Sequence, residues 1–330
     1  MKSLPSIWFF SALLASSAPA LAFDCSKAAT KVEKAICASD SLISADAEMT
    51  KVYVSVRDAS TLTEKKTLVP AQRRWIAQRE NACAYAEDAE LTTCISKETN
   101  ERRLLLLGAP ESGPGPASQL VPVFLQQAGN KKIYDLDYAL LRFANPQSAG
   151  EKLFNGQSEK ILREAPVGPH GQDVPEGQVL ARQETFAISY ASPRLLSVAD
   201  NFYSDEGGAH GNGGMNNINI DMGRGKEIKT SDVFASKAIK TLTSECRDQI
   251  MARKQENYGD EKYVAADDGS FQESTIVEHL NNFQRWTITA DKAIVTFDSY
   301  AIGSFAEGPY ECTFDISEIK SLAIPDAPLP

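Results

Sequence analysis

The sequence predicts two unlike parts: an N-terminal disulfide-linked helical hairpin module, then an α+β domain with a mainly antiparallel sheet. Three observations carry this. Cys25, Cys37, Cys83 and Cys94 fall within one stretch of helical periodicity. A run rich in Pro and Gly, Gly108-Ala109-Pro110-Glu111-Ser112-Gly113-Pro114-Gly115-Pro116, then interrupts the chain and favours neither helix nor strand. Beyond it the pattern changes to strands interrupted by a few helices.

The first residues read as an export signal. Lys2 is the positive n-region, Ile7 to Ala15 a short apolar core, and Ala20-Leu21-Ala22 a small-residue cleavage site. The core is too short for a bilayer whose hydrocarbon is about 30 Å thick. Ala22-Phe23-Asp24 ahead of Cys25 does not read as a lipobox. The expectation is a signal over residues 1–22, a helical module over 23–107, a linker over 108–118 and an α+β domain over 119–330. The mature chain would be periplasmic, with no membrane insertion.

Six cysteines in an exported chain should pair. The spacing C-x-x-C is absent and His170, His210 and His279 are scattered, so neither a zinc site nor any other cofactor is expected.

The helical module reads in order. Thr30 to Cys37 forms a short leading helix, and Thr30 with Glu33 fits a capping box. Leu42, Ala45, Met49, Val52 and Val56 recur at alternating threes and fours, the seam of a packed helix. Thr61 and Glu64 cap a second long helix to about Cys83, with Leu68, Trp75 and Ile76 facing inward. A third runs from about Asp88 to Leu107. In an antiparallel hairpin the start of the Leu42 helix lies beside the end of the Trp75 helix. That geometry favours Cys37 with Cys83, leaving Cys25 for Cys94.

In the second part, Gln147 to Leu162 reads as a helix with Leu153, Phe154 and Ile161 on its apolar side. Glu184 to Tyr190 and Leu195 to Tyr203 are strands around the turn Ala191-Ser192-Pro193-Arg194. Asn217 to Met222 is a further strand, closed by the turn Gly223-Arg224-Gly225. Ser231-Asp232 caps a helical region to about Asn257 that carries Cys246. Strands near Trp286 to Thr289, Ala293 to Ser299 and Glu311 to Ile316 end the domain, and Cys312 on the last is expected to pair with Cys246.

Charge separates the parts. Residues 23–107 hold 13 acidic and 13 basic side chains, whereas the remainder holds 31 acidic against 20 basic, a net of −11. Nucleic acid and anionic lipid are disfavoured as partners, because both require a basic surface. A basic protein ligand would be steered toward the acidic part at low salt.

Candidate ligand-binding residues cluster in the glycine-rich run Asp205-Glu206-Gly207-Gly208-Ala209-His210-Gly211 and near Tyr300 and Tyr310. Gly207, Gly208 and Gly211 would let backbone approach a ligand, and Tyr300 and Tyr310 flank a loop where an aromatic could anchor a partner. No Gly-Lys-Ser/Thr follows, so this is no phosphate loop. His210 as a general base would need an adjacent nucleophile or carboxylate, with Glu206 and Asp205 near in sequence. No HExxH, GxSxG or dinucleotide fingerprint is present, and no catalytic residue is assigned.

Two resemblances bear on function. Phe23-Asp24-Cys25, Val32 to Cys37, the run Gln72-Arg73-Arg74-Trp75-Ile76-Ala77-Gln78-Arg79-Glu80-Asn81-Ala82-Cys83, and Cys94 resemble the LprI-type lysozyme-inhibitor domain. The resemblance implies a small helical exported module, with lysozyme inhibition attributed to some members. Trp75 and Arg79 are then either partner contacts or core. In the second part, Tyr203 to Gly211, Asn219 to Ile228, Ser231-Asp232-Val233-Phe234 and Tyr300 to Gly308 resemble the domain shared by RsiV-type lysozyme-sensing anti-sigma factors and PdaC-type deacetylases. In the sensor that domain binds lysozyme through loops entering the muramidase cleft. Neither the sensor's membrane span nor the deacetylase domain is present here. The expected function is non-enzymatic recognition of a lysozyme-like muramidase by cleft occlusion. The alternatives are an envelope-maintenance protein associated with peptidoglycan, or an immunity protein against another cell-wall toxin.

Overall fold

The computed structural model describes residues 24–330, so the export signal expected over residues 1–22 lies outside the described residues. Four helices come first: α1 (Lys31–Cys37), α2 (Asp40–Ala59), α3 (Leu62–Ala82) and α4 (Asp88–Leu107). Both expected capping boxes form. Thr30 and Thr61 accept from the backbone N–H of Glu33 and Glu64, whose carboxylates in turn accept from the cap residues' own N–H. Gly108 ends α4 in the left-handed conformation, at φ 60°. There it lies against the backbone of Leu120, with no room for a side chain.

The first two disulfides correct the sequence expectation: Cys25 pairs with Cys37, and Cys83 with Cys94. The expectation took α2 and α3 as the tight pair, but α2 packs chiefly against α4. Each bond is local instead. Cys25 and Cys37 bracket α1, and Cys83 and Cys94 bracket the corner between α3 and α4, with Cα separations of 5.7 and 5.8 Å. Ile76 also departs from expectation, being 43% exposed.

The second part holds two sheets. The larger runs β1-β2-β3-β4-β6-β7, from β1 (Leu120–Gln127), β2 (Asp135–Phe143), β3 (Ala181–Ala191), β4 (Leu195–Asp205), β6 (Ile218–Asp221) and β7 (Lys226–Glu227). A further strand, β5 (Asn212–Met215), also pairs with β4. Every pairing is antiparallel except β2 with β3, which are joined through α5 (Ala149–Glu164). A helical crossover is what a parallel neighbour requires. Phe154 of α5 is fully buried between Phe143 and Phe186.

The smaller sheet is β10-β9-β8, from β8 (Trp286–Ile288), β9 (Lys292–Phe297) and β10 (Tyr310–Asp315). It packs with α6 (Ser236–Tyr258), α7 (Glu273–Leu280) and α8 (Ile316–Leu322). Cys246 and Cys312 bond α6 to β10. The expected cap at Ser231-Asp232 is instead part of a short 3-10 turn, and α6 begins four residues later with no side-chain cap. The short helices α7 and α8 were not anticipated.

The two parts share one core. Met49, Leu68, Trp75, Leu105 and Leu106 bury in a continuous cluster with Leu120, Phe124 and Leu136 of the larger sheet. Polar contacts reinforce it. Arg74 pairs with Asp135 and Asp137 of β2, and Gln78 donates to Asp137 at 2.7 Å. The expected linker lies along β3: Glu111 N–H donates to Ile188 O at 2.8 Å, and Gly115 N–H donates to Ala191 O at 3.0 Å.

Candidate functional site

The glycine-rich run makes a hairpin rather than an open loop. Asn212 to Met215 pair with Ser204 to Asn201, so β4 and β5 fold back on one another around residues 206–211. Two glycines are required there. Gly207 has φ 80°, disfavoured for residues with a side chain. Gly211 lies under the Tyr203 ring, where a Cβ would come within 2.0 Å of its hydroxyl. A Cβ at Gly208 would make only an ordinary contact, 3.8 Å from His210 O, so this glycine carries no such constraint.

His210 stands at the hairpin tip, exposed, against the loop that follows β9. Its ring stacks on Phe305 at a centroid distance of 3.8 Å and on Tyr300 at 6.1 Å. Nδ1 is 2.9 Å from Gly211 O and Nε2 is 3.0 Å from the Tyr300 hydroxyl. A carbonyl oxygen only accepts, so Nδ1 carries the proton and Nε2 accepts from Tyr300. Tyr300 is 58% exposed and Phe305 39%, so the three rings form one apolar face with polar edges. Tyr300 holds φ 72°, a cost a tyrosine bears only where its surroundings fix it.

Among the described residues no carboxylate is hydrogen-bonded to His210. Glu206 accepts from the Tyr134 hydroxyl at 2.6 Å and from Arg182 Nε at 2.9 Å, while Asp205 accepts from Gly207 N–H. Both ring nitrogens of His210 are thus occupied, Nδ1 by Gly211 O and Nε2 by the Tyr300 hydroxyl.

Tyr310 is a correction. It is 3% exposed and supports the patch from inside instead of anchoring a partner. Its hydroxyl donates to Glu307 at 2.6 Å and accepts from Asn257 at 3.1 Å. The physical reason is strand alternation: Tyr310, Cys312 and Phe314 all point inward from β10.

Beneath the patch lies a buried lysine. Lys254 on α6 has a fully buried side chain and donates to Asp268 at 2.7 Å and Glu307 at 3.0 Å. Tyr263 and Tyr310 lie over its ammonium at 5.5 and 5.1 Å. Burial alone would raise the Glu307 carboxyl, but hydrogen bonds from Tyr310, Ser304 N–H and Lys254 overcome it and lower its pKa to about 2. The same balance holds Asp268 well below the usual carboxylate range. Glu307 closes the 3-10 turn Phe305–Glu307, so this network fixes the segment that presents Phe305.

Trp75 and Arg79 are core. Trp75 is 8% and Arg79 5% exposed. Arg79 pairs with Asp46 at 2.8 Å, donates to Thr99 at 3.1 Å, and lies 4.7 Å over the Trp75 ring. Arg102 approaches the same ring at 5.8 Å and donates to Gln72 at 3.0 Å; burial lowers its pKa to about 10.

Sequence reasoning missed Phe305, Lys254 and a carboxyl pair, Glu184 and Asp200. Across β3 and β4, Asp200 stands opposite Phe186, which makes Glu184 its diagonal neighbour on one face. Burial first, and Glu184 second, push Asp200 up to about 9, so the pair retains a proton at neutral pH.

Comparison with known proteins assigns the two ends of the chain. Residues 25–106 match the family described as "Lysozyme inhibitor LprI". Residues 231–317 match the family described as "Protein of unknown function (DUF3298)". A solved structure of a DUF3298 family member from Bacteroides fragilis is 12% identical, over 63% of this chain and 94% of its own, with a TM-score of 0.45. A DUF3298 family protein from Pseudomonas aeruginosa PAO1 is 14% identical, over 64% and 97%, with a TM-score of 0.46. No curated protein matches the chain. The chain is thus similar to the LprI family over residues 25–106 and to the DUF3298 family over residues 231–317.

Proposed function

We propose that this is an exported, non-catalytic binding protein that recognises a lysozyme-like muramidase and occludes its sugar-binding cleft. The observation that carries the reading is the match of residues 25–106 to the lysozyme-inhibitor family. Among the described residues no helix is long and apolar enough to cross a membrane, which is compatible with a mature periplasmic chain. The net charge of −11 beyond residue 107 supports a basic partner, attracted over a Debye length of about 8 Å at physiological salt.

The contact surface assigned in this reading is the hairpin tip, Gly207, Gly208, His210 and Gly211, with Tyr300 and Phe305 beside it. A narrow tip bearing stacked rings suits a concave cleft, because exposed aromatics on a rigid support lose little entropy on docking. The test is calorimetry of the chain from Phe23 onward with a c-type lysozyme at two salt concentrations, alongside a cell-wall lysis assay. The expected result is micromolar or tighter binding, weaker at high salt, with lysis suppressed. Replacing Tyr300 and Phe305 together by alanine should cost about 2 kcal/mol or more of binding. Absence of binding at both salts sinks the c-type reading.

A further inference from the structure

A second recessed site lies away from the aromatic patch, in a cleft of about 330 Å³ between α5, the β3–β4–β6 face and the turn before β8. That volume is at the small end of ligand pockets, about 300–1,000 Å³. Its polar lining is dominated by oxygen acceptors. Glu164 of α5, Glu184 of β3, Asp200 of β4 and Glu227 of β7 contribute carboxyls, against Lys160 as the single cation of the lining. Arg182, a cation that acts on Glu184, is already paired with Glu206.

Two buried amides sharpen the character of the site. Asn217 is 2% and Asn219 4% exposed. Their NH2 groups are committed: Asn217 donates to Thr287, and Asn219 donates to the carbonyls of Phe283 and Trp286. The two carbonyls fix the Asn219 oxygen as its free end, and neither amide oxygen has a protein partner. Asp200, 5% exposed, likewise has Oδ1 without a partner. Buried acceptors without donors are costly, and here three of them belong to residues lining one cleft.

We propose that this cleft binds an organic cation, an ammonium or guanidinium group on a ligand the size of a basic side chain, with Glu184 and Asp200 as its principal partners. Such a group offers several N–H donors and one positive charge to a site that has acceptors and negative charge. A metal ion fits less well, since the described residues contain no group of three or more His, Cys, Asp or Glu able to hold one. A sugar fits less well too, because the one aromatic of the lining, Phe283, is buried at 3% exposure and offers no ring face for stacking. Binding would displace the proton held between Glu184 and Asp200, since cation and proton occupy the same negative potential. This inference is independent of lysozyme recognition.

The test is calorimetry on the full chain with L-argininamide, with its neutral isostere L-citrullinamide, and with acetyl-Ala-Arg-Ala-amide. Each titration is run near neutral pH in two buffers of different ionisation enthalpy. The expected result is millimolar or tighter binding of L-argininamide, with about one proton released per ligand. A preference for the tripeptide identifies a side chain presented by a polypeptide as the natural form; a preference for L-argininamide identifies a free small molecule. Glu184→Gln, at the partly exposed wall, should weaken binding by at least about tenfold, and Asp200→Asn should abolish the proton release. Equal binding of L-citrullinamide, no heat up to tens of millimolar, or affinity unchanged in Glu184→Gln each overturns the proposal.

Discussion

The two polar–aromatic constellations of this molecule are built from similar residues and turned in opposite directions. In the helical part, Trp75 lies between Arg79 and Arg102, and all three are buried. In the α+β part, His210 stacks on Phe305 and Tyr300, which are exposed, while the cation Lys254 is buried behind them. The first arrangement spends its charges on holding helices together. The second uses its buried charge to hold an aromatic face outward. A Trp with flanking arginines therefore invites a contact reading that burial rejects, and exposure separates the two cases.

This contrast can be broken by experiment, beginning where the effect is largest. Arg79→Leu strands the buried Asp46 carboxylate and should destabilise the fold by about 3–5 kcal/mol in urea titrations. A loss below about 1 kcal/mol would show that Asp46 finds water and that the pair is not structural. Replacing Cys246 and Cys312 by alanine opens a loop of 66 residues and should cost about 4 kcal/mol on the chain-entropy estimate. The same change at Cys25 and Cys37, 12 residues apart, should cost about 3 kcal/mol. Peptide mapping that found Cys37 bonded to Cys83 would overturn the local pairing.

A pH effect comes next. Asp200 keeps its proton in the folded chain up to about 9 but loses it in the unfolded chain near 3.8. Between those limits the folded state binds the extra proton, so stability is highest on the acid side and falls as pH rises. Asp200→Asn should flatten that slope in thermal melts recorded across the window, and an unchanged slope would remove the carboxyl pair as its cause. The smallest stability effect belongs to the patch. Tyr300→Ala with Phe305→Ala should leave stability within about 0.5 kcal/mol while muramidase binding is lost. Together with Arg79→Leu, which should alter stability without a direct contact to the partner, this sharpens the opposition between the two constellations.

Much of the helical part was legible because its signals are local. Capping boxes at Thr30 and Thr61, the seam from Leu42 to Val56, and the stop at Gly108 each involve residues within a few turns of one another. Disulfide pairing was not legible, because it depends on which helices pack, and α2 packs chiefly against α4 rather than α3. Tyr310 was misread although the alternation Tyr310, Cys312, Phe314 was present in the sequence; assigning the strand from Glu311 cut off its first inward residue. Glu184 and Asp200 carry no sequence signal at all. Sixteen positions separate them, and only the β3–β4 register makes them neighbours. Phe305 was within reach, inside the loop expected between Tyr300 and Tyr310, yet nothing in its own neighbourhood distinguishes an exposed Phe from a core one.

The segment between the two parts has a consequence for how any partner must engage them. Ser112 donates its hydroxyl to Ser189 O at 2.6 Å and accepts from Ala290 N–H at 3.0 Å, so this one residue touches the larger sheet and the β8–β9 turn of the smaller one. With the shared core at Trp75, Leu120 and Phe124, it removes the freedom that a Pro/Gly-rich tether would otherwise give. Two freely tethered modules can each find a binding spot and gain avidity over a range of spacings. This protein presents a single fixed spacing instead, so a partner touching both parts must match that distance, and lengthening the segment by a few residues would not widen the choice.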